Sequence, residues 1–178
     1  MTIVPDDKDW TWVLAEPCPQ CGYVSDAYDR AELGERLRAN AASWRTLLDH
    51  PSATVRPTTA HWSALEYACH VRDVFRIMDG RLGLLLEQDE PTFANWDQDA
   101  TAVEERYADQ DPGVVLDDLE AAGKVVADHF DTVGADGWSR AGHRSDGAHF
   151  TVETLGRYLL HDPVHHIWDV EQGYASSS

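Results

Sequence analysis

The sequence predicts an all-α protein, a four-helix bundle preceded by an irregular N-terminal arm. Two observations carry that prediction. Four long segments repeat apolar residues at spacings of three and four, the period of a helix with one buried face. Their ends carry capping and breaking signals, and no segment shows the alternating pattern of a half-buried strand. The chain has 178 residues, 43% of them hydrophobic, enough to bury one core.

Residues 1–28 read as the arm, with Trp10 and Trp12 placed to anchor it on the body and a Cys-x-x-Cys turn at Cys18 and Cys21. The first helix is expected to start at Asp29, where Asp29-Arg30-Ala31-Glu32 has the capping-box arrangement. Leu33, Leu37, Ala41, Trp44 and Leu48 then form its apolar stripe, and His50-Pro51-Ser52 ends it. The second helix has the clearest start. Ser63 can cap, Glu66 can reach back to it, and Trp62 can staple against Tyr67. This helix runs to about Glu87. A long acidic connection follows, Gln88 to Asp111, with a short helix expected between Asp97 and Tyr107.

Asp111-Pro112 places a cap before a proline at the first helical position. The third long helix carries Val115, Leu119, Ala122, Val126 and Phe130 on one stripe and ends near Val133-Gly134. Gly137 to His149 reads as a glycine-rich loop. Thr151 can cap the fourth long helix, which runs to about Gln172-Gly173. The bundle therefore spans 29–174, with 175–178 a disordered tail. The long second connection suggests a non-simple topology, in which the second and third helices need not be adjacent.

Charge excludes some functions. Acidic residues outnumber basic ones 32 to 14, for a formal net charge of −18. Nucleic-acid binding rests on Lys and Arg neutralising phosphates, so no nucleic-acid partner is expected, and no anionic membrane either. No apolar stretch has the length to span a bilayer. The start, Met1 to Trp10, is acidic and does not read as a secretory signal. A cytoplasmic location is the expectation, and an odd number of cysteines does not suggest a secreted disulfide framework. A homodimer is compatible with this surface.

The chemistry lies in the histidines. His161 and His165 are one helical turn apart. Positions i and i+4 bring Cβ atoms to roughly 5–6 Å on one face, which lets two imidazoles bind one cation. They share that face with Tyr158 and Trp168. His70, in the second helix, shares its face with Tyr67, Val74 and Ile77, and is the upstream residue best placed to be a third ligand. Inward imidazoles on two helices need partners, and three nitrogen ligands with an open position make a catalytic divalent-metal site. The plainer reading of any one of the nine histidines is a surface or satisfied core residue.

His166 points about 100° away from His165 and reads as a supporting residue. Asp73 and Asp169 can orient ligating imidazoles. Asp162 can do the same, or serve as a catalytic base. The run His161-Asp162-Pro163-Val164-His165 also invites comparison with the H-E-x-x-H zinc protease helix. Against it stand the shorter aspartate, the proline within the helix, and the few residues that follow His166.

A histidine preceded by Trp-Ser-x-x-Glu, and a closing His-x-x-x-His, resembles the DinB-like metal-binding superfamily over roughly Asp29 to Tyr174. The resemblance implies an up-up-down-down four-helix bundle with one divalent metal on three histidines, here His70, His161 and His165. Characterised members include thiol S-transferases and a maleylpyruvate isomerase that use a low-molecular-weight thiol such as bacillithiol or mycothiol. The isomerases resemble this chain less well, because one of their ligands is a glutamate and both closing positions here are histidines.

These readings make the protein a metal-dependent enzyme acting on a small molecule. The cation, zinc by preference with nickel, iron or manganese also able to accept imidazoles, activates a thiol or a water. A thiol S-transferase or isomerase is the first reading. A metal-dependent hydrolase, a non-catalytic metal- or small-molecule-binding bundle, and a dimerisation module are the alternatives. Substrate is expected to enter beside Gln88–Asp111 and Gly137–His149, where Arg144 and His149 can meet it or stand as plain loop residues. Cys18 and Cys21 look like half of a zinc site, which needs four ligands. His50, His61 or His143 can be recruited, but none of them offers a second pair at the right spacing. The pair is therefore read as a packed turn with reduced thiols, and Cys69 as a small core residue.

Overall fold

A computed structural model describes residues 9–176; the acidic start at Met1 to Lys8 and the last two serines lie outside the described residues. Four long helices form the body: α1 (Leu33–Leu48), α2 (Ala64–Glu87), α4 (Pro112–Asp131) and α5 (Val152–Ser176), with the short α3 (Gln98–Glu104) in the connection between α2 and α4. Among the described residues, no helix is long and apolar enough to cross a membrane.

Local signals set the helix ends. The Ser63 side chain accepts from the Glu66 N–H, and the Glu66 carboxylate accepts from the Ser63 N–H at 2.9 Å, closing the capping box of α2. Trp62 meets Tyr67 edge to face, with ring centroids 5.5 Å apart. Asp111 accepts from the Gly113 and Val114 N–H groups, and Pro112 opens α4. Thr151 accepts from the Thr154 N–H at 3.1 Å to start α5. At Asp29 the cap serves a different element: the aspartate accepts from the Ala31 N–H and starts a 3-10 turn, Arg30–Glu32, after which α1 begins. At the other end α5 runs on through Ala175 and Ser176.

The predicted stripes supply much of the core, with Ala122 only partly buried at its edge. Leu37, Trp44, Leu119, Val126 and Phe130 are all buried, as are Leu65, Phe75, Leu82 and Leu155. α4 packs against both α1 and α2, and α5 packs against the same two helices, whereas α1 and α2 barely touch. The second and third long helices, α2 and α4, are therefore neighbours, an arrangement that their long connection had left open. A long connection permits a distant partner but does not require one, because doubling a loop costs only about 0.6 kcal/mol.

A small sheet departs from the all-helical expectation. β1 (Thr92–Phe93) pairs in parallel with β2 (Ala141–Arg144), and β2 pairs antiparallel with β3 (His149–Thr151). These strands are too short to show alternation in sequence. The sheet buries Phe93 and Phe150. A Cβ at Gly142 would lie 2.6 Å from the Pro91 carbonyl oxygen, so the backbones can approach there only at glycine.

Before α1, the segment from Asp9 to Asp29 has only 3-10 turns, at Trp10–Leu14 and Ser25–Ala27. Between them Gly22 takes φ +74°, the left-handed region glycine enters without penalty. The Gly22 N–H donates to the Cys18 carbonyl at 3.0 Å and the Cys18 N–H to the Tyr23 carbonyl at 2.8 Å.

Candidate metal centre

α5 carries two i, i+4 pairs interleaved by one position: His161 with His165, and Asp162 with His166. One residue of helix is about 100° of rotation, so the two pairs face different parts of the molecule. The structure divides the sequence-derived trio between them. His161 and His165 meet Cys18 and Cys21, whereas His70 meets Asp162 and His166; within each group one ligand atom per residue lies within 4.8 Å of every other. The register that faces α2 is one residue later than the one chosen from the sequence.

In the group facing α2, His70 is fully buried. Its Nε2 lies 3.4 Å from Asp162 Oδ1, and His166 Nε2 lies 3.7 Å from the same oxygen. Two ligands bound at about 2.0–2.1 Å at a tetrahedral angle are about 3.4 Å apart, so these spacings suit a shared cation. Neither ring nitrogen of His70 makes a hydrogen bond among the described residues, and neither does Asp162 Oδ1. Orphaned buried polar atoms are costly, and a cation would satisfy them.

Protonation fits as well. Burial holds His70 below its usual value, outweighing the nearby Asp162 carboxylate. Burial acts to raise the Asp162 carboxyl, but the His166 and His70 rings outweigh it and hold that group at about 2. A neutral imidazole beside an ionised carboxylate is the ligating form of both.

Neighbouring side chains fix these groups. His166 Nδ1 lies 2.9 Å from Asp169 Oδ2, which leaves Nε2 directed toward Asp162. Asp73, the other predicted orienting residue, is used elsewhere: it accepts from Arg72 and from the Tyr107 hydroxyl at 2.6 Å. Trp96 stacks on His70 with centroids 5.3 Å apart and planes 9° from parallel. Trp62 packs on the same ring at 5.4 Å, and Tyr67 covers His166 at 4.9 Å.

A cleft of about 440 Å³ borders this shell, and its lining includes Trp62, Tyr67, His61, Trp168, Asp169 and Tyr174. It is framed by the α1–α2 connection and the end of α5, rather than by the two loops expected from the sequence. Arg144 is committed to Asp146 at 2.8 Å and reaches toward the Tyr158 hydroxyl at 3.4 Å. His149 is exposed beside His143 and Glu90 on the small sheet.

The second group lies on the neighbouring face of α5, about 100° around the helix. Cys18 Sγ is 3.5 Å from His165 Nδ1, and His161 Nε2 is buried with no hydrogen-bond partner among the described residues. Trp10 covers both imidazoles, with centroids 5.5 Å from His161 and 5.0 Å from His165, and Tyr23 meets His161 at 5.3 Å. Burial, aided by the adjacent His165, pushes His161 down to about 4. Sequence reasoning missed this pairing because it had already committed His161 and His165 to His70. The available signal was the second i, i+4 pair, which leaves the first free for the Cys-x-x-Cys turn.

A scan against protein-family models finds no match, and a search of curated proteins finds none. Among solved structures the chain is similar to YfiT from Bacillus subtilis, described as a probable metal-dependent hydrolase with an unusual four-helix bundle topology. The two share 18% sequence identity and superpose with a TM-score of 0.70, over 82% of this chain and 84% of that one. The likeness shows the fold: a four-helix bundle like that of YfiT.

Proposed function

We propose that this bundle is a metal-dependent enzyme whose cation is held by His70, Asp162 and His166, and that it presents a low-molecular-weight thiol to an electrophilic carbon, as an S-transferase or isomerase. The observation that carries the proposal is the convergence of two imidazoles and a carboxylate around His70 Nε2 and Asp162 Oδ1, buried atoms that make no hydrogen bond among the described residues. A divalent cation bound there supplies Lewis acidity and lowers the pKa of a thiol or water held beside it.

The remaining work falls to the chain. Asp169 holds the His166 ring with Nε2 inward. Trp96 and Trp62 bracket His70 and keep water from it. The aromatic wall of the adjoining cleft receives the apolar body of a substrate. Asp162 acts here as a ligand rather than as the catalytic base. An imidazole–carboxylate–imidazole set also reverses the sequence argument against the isomerase branch, whose ligands include a glutamate. The up-up-down-down order of the helices belongs to the same reading, supported by the near absence of contact between α1 and α2.

A second reading, a metal-dependent hydrolase, is favoured by the description of the structural neighbour. One experiment separates the two. The purified protein is loaded with zinc, nickel, iron or manganese and assayed with a bimane-type electrophile, with and without bacillithiol or mycothiol. Thiol-dependent turnover that falls at least about 100-fold in His166→Ala is the expected result. Turnover of an ester or amide without thiol supports the hydrolase. Bound metal with no turnover of either kind overturns the enzyme.

A further inference from the structure

We propose that Cys18, Cys21, His161 and His165 form a second, structural zinc site that fastens the N-terminal segment to α5. The donor set is complete: two sulfurs and two imidazole nitrogens, each within 4.8 Å of the others. Zinc binds thiolate at about 2.3 Å and imidazole at about 2.0–2.1 Å, so a tetrahedral site puts sulfur and nitrogen about 3.6 Å apart. Cys18 Sγ and His165 Nδ1 are 3.5 Å apart. The cysteines are free thiols rather than a disulfide. A mixed sulfur and nitrogen set at this spacing is what tetrahedral zinc takes.

The surrounding backbone is built for it. The turn from Cys18 to Tyr23 folds back on itself through the left-handed Gly22, bringing both sulfurs to one side. Tyr23 then donates its hydroxyl to the Arg157 carbonyl at 2.7 Å, holding the turn against α5. Trp10 and Tyr23 cover the imidazoles. With four protein ligands and aromatic cover, the centre leaves no position for substrate, which marks it as structural.

The consequence reaches the other face of α5. From Asp9 to Asp29 the backbone forms only 3-10 turns and loops, and has few buried side chains of its own. Zinc would supply much of its ordering free energy. By gripping His161 and His165 it also fixes the rotation of α5, and hence the direction in which Asp162 and His166 point. This inference does not rest on the proposed enzymatic activity, since it uses different ligands.

The test uses the full chain. With cobalt in place of zinc, the wild type and His70→Ala should both show a near-ultraviolet sulfur-to-cobalt charge-transfer band, and Cys18→Ser and Cys21→Ser should lose it. In the zinc-loaded wild type, Cys18 and Cys21 should resist alkylation by iodoacetamide until a strong chelator is added, read by peptide mass spectrometry. That second measurement stands even where a cysteine variant fails to fold. A wild-type cobalt protein without the sulfur band, cysteines that alkylate equally fast with and without chelator, or an intact mass showing a Cys18–Cys21 disulfide would each overturn the proposal. A metal-loaded wild type that shows the sulfur band but no turnover would count against the enzymatic reading alone.

Discussion

Cys18 Sγ lies 3.5 Å from His165 Nδ1, across 147 positions of sequence, while the next residue, His166, turns its Nδ1 to Asp169 at 2.9 Å. Two adjacent histidines thus serve two different faces. The helix makes this unavoidable, since each residue advances about 100°, and it means that substitutions one position apart on α5 should have separable consequences.

His165→Ala and His166→Ala test that separation directly. Elemental analysis of each purified variant should show a loss of about one metal equivalent from the wild-type content. Only His165→Ala should make Cys18 and Cys21 alkylate quickly, and only His166→Ala should abolish activity without exposing the thiols. Identical metal and labelling profiles in the two variants would mean that a single site had been counted twice.

Asp169 acts on the centre through His166. Removing a carboxylate that orients a ligating imidazole typically costs about 10–100-fold in metal affinity. Asp169→Asn should show a loss of that size in chelator competition at the His70 centre. An unchanged affinity would show that the ring is held by packing against Tyr67 instead.

Glu66 ties the start of α2 to the preceding loop. Its carboxylate accepts from the Ser63 N–H at 2.9 Å, from the Ser63 hydroxyl at 2.8 Å and from Arg56 Nε at 2.9 Å. Burial acts to raise this group, but Arg56 and Ser63 outweigh it and hold it below its ordinary 4.5. A depressed carboxylate contributes stability that is present above the ordinary value and lost as pH falls through the folded one. Glu66→Gln should cost about 2–4 kcal/mol at neutral pH, and the gap from wild type should narrow as denaturation is repeated below pH 4.5. A gap independent of pH would assign the effect to packing rather than to charge.

Two glycines in helices should respond oppositely to the same change. A Cβ at Gly123 in α4 would lie 2.7 Å from Ala41 Cβ and 3.1 Å from Phe75 Cε2, whereas one at Gly80 in α2 meets nothing within 4 Å. Gly123→Ala should destabilise by about 1–3 kcal/mol through overpacking. Gly80→Ala should stabilise by about 0.5–1 kcal/mol through backbone entropy. Chemical denaturation of both variants reads the two signs, and a stabilised Gly123→Ala would show that α1 and α4 can move apart freely.

Much of the helical framework was legible because its causes are local. The Ser63–Glu66 box, Asp111-Pro112 and the stripes through Leu37 and Leu119 each depend on residues within a turn or two of one another. The sheet was not legible: Thr92–Phe93 is two residues long, and its partner lies in a distant loop. Arg144 drew attention as a loop cation, yet its guanidinium is spent on Asp146 and Tyr158.

From sequence alone, His70 and the histidines of α5 could be singled out as a concentration of metal-binding chemistry, and Cys18 and Cys21 as an incomplete half of another. Which nitrogen met which partner was decided by how α5 is rotated against α2 and against the N-terminal segment. Helical periodicity fixes the angle between His165 and His166 but not the direction in which either points. That rotation is set by contacts such as the Tyr23 hydroxyl on the Arg157 carbonyl and the packing of α5 on α1 and α2, which join residues far apart in the chain.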